Sequence, residues 1–189
     1  MKHPESTLES ERLLLRAPTA SDVPQLARYM MRNREHFAES RPRNDAAFTE
    51  EFWSKKVVEL AKAETQDISV HRLLFRKGEA KSDIVGRCAV TAIHRGPMQA
   101  AYLGYNLDEH SVGKGLMEEA LRSVIPYMFG PRNLHRLMAN YMPSNTPSGA
   151  LLKRLGFVEE GLAKDYLRIN GRWRDHVLTS LINDDWSCE

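Results

Sequence analysis

The chain has 189 residues, 42% of them hydrophobic and 28% charged, with a formal net charge of +2, which suits one domain with a substantial core and excludes a chain that is disordered throughout. The small positive excess gives no argument for nucleic-acid binding by charge alone. No apolar run approaches the roughly 18 residues of a membrane span and no signal-peptide stretch begins the sequence, so we expect a single cytoplasmic domain over residues 1–189, with no membrane partner and no direct DNA binding.

The N-terminal third predicts one strand and two helices. Residues 13–15 predict the first strand, and residues 21–24 predict a helix start because a capping residue precedes a first-turn proline. A loop over residues 41–44 separates this helix from a second helix after Thr49. Apolar residues at helical spacing are expected on the buried faces of the two helices: Leu26, Met30, Met31, Phe52, Val57, Leu60 and Ala61.

The middle of the chain predicts three strands and a helix. Residues 68–75 and 84–93 form a strand–turn–strand pattern, and residues 100–107 predict a further strand. Residues 115–129 predict a helix. Its buried side is expected to carry Leu116, Ala120, Leu121 and Val124.

The C-terminal part predicts a strand over residues 135–141, a short helix over residues 147–155 and a hairpin. Asn170-Gly171 favours the hairpin turn because both positions accept positive φ, and it would join strands of residues 164–169 and 176–181. The order of all elements predicts a mixed sheet covered by helices, of the α/β (α+β) class.

The turn around Gly113 and Gly115 is the most informative stretch, because it follows a strand and opens a helix. The first helical turn has N–H groups without partners and a partial positive charge, and glycines let a bulky anion approach the main chain. Lys114 offers a charge-assisted contact. A diphosphate suits this turn, although glycines also precede helices simply to make a tight turn. It is neither a Walker loop nor a Rossmann fingerprint.

Two blocks of the sequence resemble the GNAT acetyltransferase superfamily. The Gly113-x-Gly115 turn is similar to its pyrophosphate loop, and Asn145-x-x-Ser148 followed by residues 155–157 is similar to its second conserved block. Four segments further resemble the RimJ/RimL-type ribosomal-protein-alanine N-acetyltransferases: residues 102–105, 113–117, 135–143 and 173–178.

The resemblance implies a GNAT fold with a mixed, mostly antiparallel central sheet of about seven strands and about four flanking helices. Two central strands splay apart in this fold, here residues 100–107 and 135–141, and the pantetheine arm of acetyl-CoA lies in the gap. The main chain of Tyr105, Asn106 and Leu107 would pair with pantetheine, because a strand edge exposes unpaired N–H and C=O groups.

The resemblance also implies which residues bind acetyl-CoA. They are Tyr105, Asn106, Leu107, His110, Ser111, Val112, Gly113, Lys114, Gly115, Leu116, Met117, Asn140, Asn145, Ser148 and Leu152. Asn145 would hydrogen-bond the coenzyme, and Ser148 would lie near the sulfur and help to protonate the leaving thiolate. The alternative is that Ser148 only caps or starts the helix after Pro147.

The general base is left open by the sequence. Tyr102 stands where the family often has a glutamate, and His110 stands where many relatives have glutamine or arginine. Asp165, Glu160 and Tyr102 are the candidate bases. An N-terminal amine, with a pKa of about 7.7–8.0, needs no strong base because on the order of 10% is neutral at pH 7. The missing glutamate therefore favours an α-amine acceptor over lysine.

The implied acceptor is the N-terminal alanine or serine of a ribosomal protein, with association with ribosomes and a monomer or homodimer as further expectations. A small amine, such as a polyamine or an antibiotic, is one alternative, and a ribosome-associated assembly factor is another. Three aromatic residues are candidates for the acceptor pocket: Tyr141, Tyr166 and Trp173. Five arginines favour a solvated helix face over a ribosome-facing surface: Arg28, Arg32, Arg34, Arg41 and Arg43.

Cysteine and histidine spacing predicts no metal site, because the sequence has no His-x-x-x-His and no Cys-x-x-Cys pair. Cys88 and Cys188 are expected to be free thiols, since disulfides are rare in a reducing cytosol.

Overall fold

A computed structural model describes residues 7–38, 42, 44–78 and 83–188. The strands are β1 (Leu8–Glu9), β2 (Leu13–Arg16), β3 (Val70–Arg76), β4 (Ile84–His94), β5 (Ala100–Leu107), β6 (Arg136–Tyr141), β7 (Val158–Ile169) and β8 (Arg172–Ile182). The α-helices are α1 (Val23–Arg32), α2 (Arg34–Ala38), α3 (Glu50–Thr65), α4 (Leu116–Phe129) and α5 (Thr146–Arg154). None of these described helices is both long and apolar enough to cross a membrane.

The strands form one sheet in the order β1-β2-β3-β4-β5-β6-β8-β7. Neighbours are antiparallel except β5 and β6, which are parallel. The predicted mixed, mostly antiparallel sheet is confirmed. The described residues contain eight strands and five α-helices, where about seven and about four were expected. The extra elements are β1 and α2, which are too short to show a hydrophobic period.

The parallel pair positions the site, because β5 and β6 are joined only along part of their length. Their register runs from Ala100↔Arg136 to Tyr102↔Met138 and stops there. Beyond this point β5 continues against β4 as far as Leu107, and β6 continues against β8 as far as Tyr141. The two strands therefore splay apart as predicted. The gap between them is bordered by the unpaired edge of β5 on one side and that of β6 on the other.

Each face of the sheet carries its own core. One cluster packs α4 and α5 against the sheet, and its fully buried members include Leu116, Ala120, Leu121 and Val124, as predicted. The other cluster packs α1 and α3 against the opposite face. Two helical predictions are wrong: Met31 is 45% exposed and Ala61 is exposed, because Met30 and Trp53 occupy the buried stripes instead.

The hairpin turn is confirmed, with φ angles of 49° at Asn170 and 81° at Gly171. Its strands, β7 and β8, are longer than predicted. Register shifts between Glu159 and Gly161 and between Ala163 and Leu167 interrupt the alternation of β7, which hid its first half in the sequence. In the predicted loop of residues 41–44, Arg41 and Arg43 lie outside the described residues.

Candidate active site

The turn before α4 presents an open helix front. Gly113 and Gly115 have φ angles of 73° and 72°, in the left-handed region where glycine has no steric penalty. Gly115 is the N-cap of α4 and offers no side-chain cap. Within the described chain, the main-chain N–H groups of residues 113–117 have no hydrogen-bond partner. These donors and the helix dipole make the turn suited to a diphosphate.

The beginning of the turn is anchored to the end of α1. The carboxylate of Asp108 accepts hydrogen bonds from Arg32 Nε at 2.6 Å and from Asn33 Nδ2 at 3.0 Å. The buried Asn33 also accepts a hydrogen bond from the main-chain N–H of Glu109 at 2.9 Å. Burial acts to raise the pKa of Asp108, but the hydrogen bonds from Asn33 and Arg32 outweigh it and hold that pKa below its usual value.

The polar residues of the turn mostly serve the turn itself. Lys114 Nζ donates to the carbonyl of His110 at 2.6 Å, which braces the loop from within. Ser111 is buried, whereas Val112 is 46% exposed and His110 is exposed. Lys114 itself is exposed.

Tyr105 and Ser148 meet on the α4–α5 side of the gap. The Tyr105 hydroxyl and Ser148 Oγ are 2.8 Å apart, which links β5 to α5. Burial raises the pKa of Tyr105 to about 12, so its phenol stays protonated. The side chain of Asn145 caps α5 by accepting the N–H of Ser148 at 3.3 Å. Asn145 is therefore the residue that caps α5, and the Ser148 hydroxyl bonds the Tyr105 phenol instead.

Two tyrosines and an asparagine meet on the opposite side of the gap. Asn140 Nδ2 donates to the Tyr166 hydroxyl at 3.1 Å, and Tyr102 is near enough to Tyr166 to raise the pKa of its phenol. Burial and the neighbouring Tyr102 raise the pKa of Tyr166, so it is a neutral phenol. The Tyr166 ring also packs on buried His176, with ring centroids 5.5 Å apart. We call Tyr102, Asn140 and Tyr166 the phenol cluster.

The comparisons with known proteins agree with this geometry. The family model described as an acetyltransferase (GNAT) domain matches residues 12–158. The chain belongs to the GNAT acetyltransferase family. The predicted family is thereby confirmed, and so is the predicted enzyme class: the protein is an acetyltransferase.

Its relatives include the [ribosomal protein uS5]-alanine N-acetyltransferase of Escherichia coli, which is 40% identical over 97% of this chain and 94% of its own length. The crystal structure of ribosomal-protein-S5-alanine acetyltransferase from Vibrio fischeri is 42% identical, with a TM-score of 0.91, over 97% of this chain and 100% of that one. Mycobacterium smegmatis RimJ in complex with CoA-disulfide is 25% identical, with a TM-score of 0.89, over 98% of this chain and 91% of that one.

Neither of the two candidate carboxylates of the acetyltransferase belongs to the phenol cluster. Glu160 forms an ion pair with Arg136, at the closed end of the parallel pair, and accepts a hydrogen bond from Ser180 at 2.8 Å. These partners, Arg136 first, hold the pKa of Glu160 below its usual value, so it is a poor proton acceptor. Asp165 is exposed at a kink of β7 with a φ of 47°. Of the three candidate bases, only Tyr102 lies in the phenol cluster.

A cavity of about 660 Å³ lies on the α1–α2 side of the acetyltransferase, next to the hairpin tip. Met31, Phe37 and Phe48 line it together with the charged residues Arg34 and Glu35. Its lining is therefore apolar with charges of both signs, rather than uniformly acidic. Among the described residues, no group of histidine, cysteine, aspartate and glutamate side chains is arranged to hold a metal ion.

The remaining predicted residues lie as follows. Of the three aromatic candidates for the acceptor pocket, Tyr166 belongs to the phenol cluster, Tyr141 packs on α5 beside Gly149, and Trp173 is 59% exposed on the hairpin. Leu152 is buried in the core beneath α5. Sequence reasoning missed Arg12, Asn33 and Glu119, which hold the glycine turn in place; nothing in their local sequence indicates these contacts.

Proposed function

We propose that this acetyltransferase transfers the acetyl group of acetyl-CoA to the N-terminal amine of a ribosomal protein that begins with alanine or serine. The observation that carries the proposal is the 40% identity, over 97% of the chain, with a [ribosomal protein uS5]-alanine N-acetyltransferase. The structural neighbour with CoA-disulfide supports the donor. A cytoplasmic location and association with ribosomes belong to the same proposal.

The site suits acetyl-CoA in two places. The free N–H groups of residues 113–117 would hold the diphosphate, and the β5 edge along residues 105–107 would pair with the pantetheine amides. When bound, acetyl-CoA supplies an activated thioester at the gap. The remaining task of the protein is to orient the two reactants and to handle two protons.

We assign the departing thiolate to the α4–α5 side of the gap. Ser148 would pass a proton to the sulfur and regain one from solvent, which takes up the proton that the attacking amine loses. The serine hydroxyl is held in place by the Tyr105 phenol at 2.8 Å. Because burial raises the pKa of Tyr105 to about 12, that phenol keeps its proton and can hydrogen-bond the serine throughout.

We assign the incoming amine to the phenol cluster on the other side of the gap. The hydroxyl groups of Tyr102 and Tyr166 would accept hydrogen bonds from the amine, while Asn140 orients Tyr166. Neutral phenols cannot remove a proton from a lysine ammonium, whose pKa lies near 10.4, about 3.4 kcal/mol from that of an α-amine. The cluster therefore favours an acceptor that is already partly neutral at pH 7.

The deciding experiment measures thiol release from acetyl-CoA with peptides that begin with Ala or Ser. The matched controls are the same peptides with a blocked N-terminus and an internal lysine, and spermidine. We expect release only with the free α-amine. Release with spermidine alone would replace the proposal with small-amine acetylation, and acetyl-CoA binding without release to any amine would indicate a binding factor.

The role of Ser148 is tested by Ser148→Ala, with Ser123→Ala on α4 as the control, because the Ser123 hydroxyl bonds the Glu9 carbonyl and no other group among the described residues. We expect kcat to fall by about 10²-fold, the lower end for a general acid, with little change in acetyl-CoA affinity. Unchanged kcat and unchanged affinity would show that Ser148 has no part in proton transfer.

A further inference from the structure

We propose that Arg12 is a positioning residue for the acetyl-CoA diphosphate, acting through the main chain of the glycine turn. The inference rests on the proposed use of this turn by acetyl-CoA. Arg12 lies just before β2, 102 residues from Lys114 in sequence. Its Nη1 donates to the carbonyl oxygen of Lys114 at 3.1 Å.

The guanidinium is itself fixed by Glu119 in the first turn of α4. Arg12 Nε and Nη2 each lie 2.6 Å from Glu119 Oε2, and the main-chain N–H of Arg12 donates to Oε1 at 2.7 Å. Ser10 Oγ donates to the same Oε1 at 2.6 Å. Burial acts to raise the pKa of Glu119, but the hydrogen bonds from Ser10 and Arg12 outweigh it and hold that pKa below its usual value, so the carboxylate stays charged.

The charge of Arg12 is balanced by Glu119. Arg12 therefore acts by fixing the orientation of the Lys114–Gly115 peptide unit rather than by attracting the diphosphate with its own charge. The C=O and N–H of one trans peptide unit point in opposite directions. The carbonyl of Lys114 faces Arg12, so the N–H of Gly115 faces away from it, toward the side of the turn where no described group accepts it. Arg12 thereby aims one of the donors that would hold the diphosphate.

The turn needs such a brace because glycines flank Lys114 on both sides. Gly113 and Gly115 both have positive φ, and a glycine can change its φ and ψ with little steric penalty. A Cβ added at Gly113 would meet no atom within 4 Å, so local packing does not hold the turn there. At Gly115 the nearest atom to an added Cβ is Arg12 Nη2, at 3.7 Å.

The test compares wild type with Arg12→Ala and Arg12→Lys, using acetyl-CoA and acetyl-pantetheine, which lacks the diphosphate. The side chain in Arg12→Lys can still form an ion pair with Glu119. Its single ammonium group cannot bond Glu119 and the Lys114 carbonyl through separate nitrogen atoms, as the guanidinium does. For both variants we expect the calorimetric Kd for CoA and the KM for acetyl-CoA to rise about tenfold, the size of one hydrogen bond to a charged group. The kcat at saturating acetyl-CoA and the activity with acetyl-pantetheine should stay at wild-type values.

The control is Arg122→Ala, which removes an exposed ion pair with Glu118 on the same helix and touches no atom of the turn; it should leave every value unchanged. An unchanged Kd for CoA in both Arg12 variants would overturn the inference. So would an equal loss with acetyl-CoA and acetyl-pantetheine, which indicates a role in folding alone. The Kd for CoA is measured without an acceptor, so an error in the proposed acceptor would leave this result intact. If Arg12→Ala does not fold, Arg12→Lys decides.

Discussion

Gly149 of α5 packs directly against the ring of Tyr141, the last residue of β6. A Cβ added at Gly149 would lie 2.7 Å from Cε2 and Cζ of the Tyr141 ring and 2.8 Å from its hydroxyl oxygen. Contacts this short do not occur between a methyl group and a ring, so Gly149→Ala must displace either the ring or the helix. The substitution therefore tests whether the Tyr141 ring is held between β6 and α5.

Two opposing effects set the magnitude. Replacing glycine by alanine in a helix alone stabilises by up to about 1 kcal/mol. Displacing the Tyr141 ring costs about 1–3 kcal/mol, the range for overpacking, although the cavity of about 580 Å³ that Gly149 and Tyr141 both line gives the ring room to move. We therefore expect Gly149→Ala to lower the free energy of unfolding by about 1–2 kcal/mol in wild type. In a Tyr141→Ala background the ring is gone, and the same change should raise the free energy by up to about 1 kcal/mol.

The assay is urea unfolding of the four proteins of this double-mutant cycle, which isolates the coupling between the two positions. The expected coupling is about 1–3 kcal/mol, with a reversal of sign for Gly149→Ala between the two backgrounds. Gly104→Ala on β5 is the control, since its Cβ would meet nothing within 4 Å. A coupling near zero, or a stabilising Gly149→Ala in wild type, would refute the packing of Tyr141 on α5.

Two further predictions concern titrating groups. Burial acts to raise the pKa of Asp22, but hydrogen bonds from Arg16 and Thr19 hold that pKa below its usual value. The ionised Asp22 therefore stabilises the folded protein above about pH 4, and this stabilisation is lost as the pH falls through the pKa of the folded state. Asp22→Asn should be less stable at pH 7 and should lose less stability on acidification, as measured by urea unfolding; an unchanged acid profile would contradict this. Burial raises the pKa of Cys88 to about 12, whereas Cys188 is exposed. A thiol reagent should therefore modify one thiol in the native protein and two in urea. Rapid modification of both thiols in the native protein would contradict the buried position of Cys88.

The parts of the site that could be predicted from sequence depend on local backbone requirements. Gly113-x-Gly115 and Asn170-Gly171 need positive φ within a few residues, and such a need is visible in the residue types themselves. The helix after Gly115 could be predicted for the same reason, because its apolar period lies within one segment.

The contacts that hold the site could not be predicted, because they join residues far apart in the chain. Arg12 and Glu119 are separated by 107 positions, and Tyr105 and Ser148 by 43. The candidate bases illustrate the same limit: Glu160 has a suitable residue type, but only the fold shows that it pairs with Arg136 at the closed end of the strands. A residue's type shows which chemistry its side chain could perform, but the groups that bond the side chain in the fold determine whether it can perform it.

The bond network around Asp108 has a consequence for anyone who wishes to change the acceptor of this enzyme. Arg32 and Asn33 close the last turn of α1, beside the cavity lined by Met31 and Phe37, yet they hold the carboxylate at the beginning of the turn that we propose binds the donor. A substitution at Arg32 or Asn33 is therefore expected to change donor affinity together with any effect that it has on the acceptor. Libraries aimed at new acceptors should keep this pair of residues constant and vary the lining of α2 and the β7–β8 tip instead.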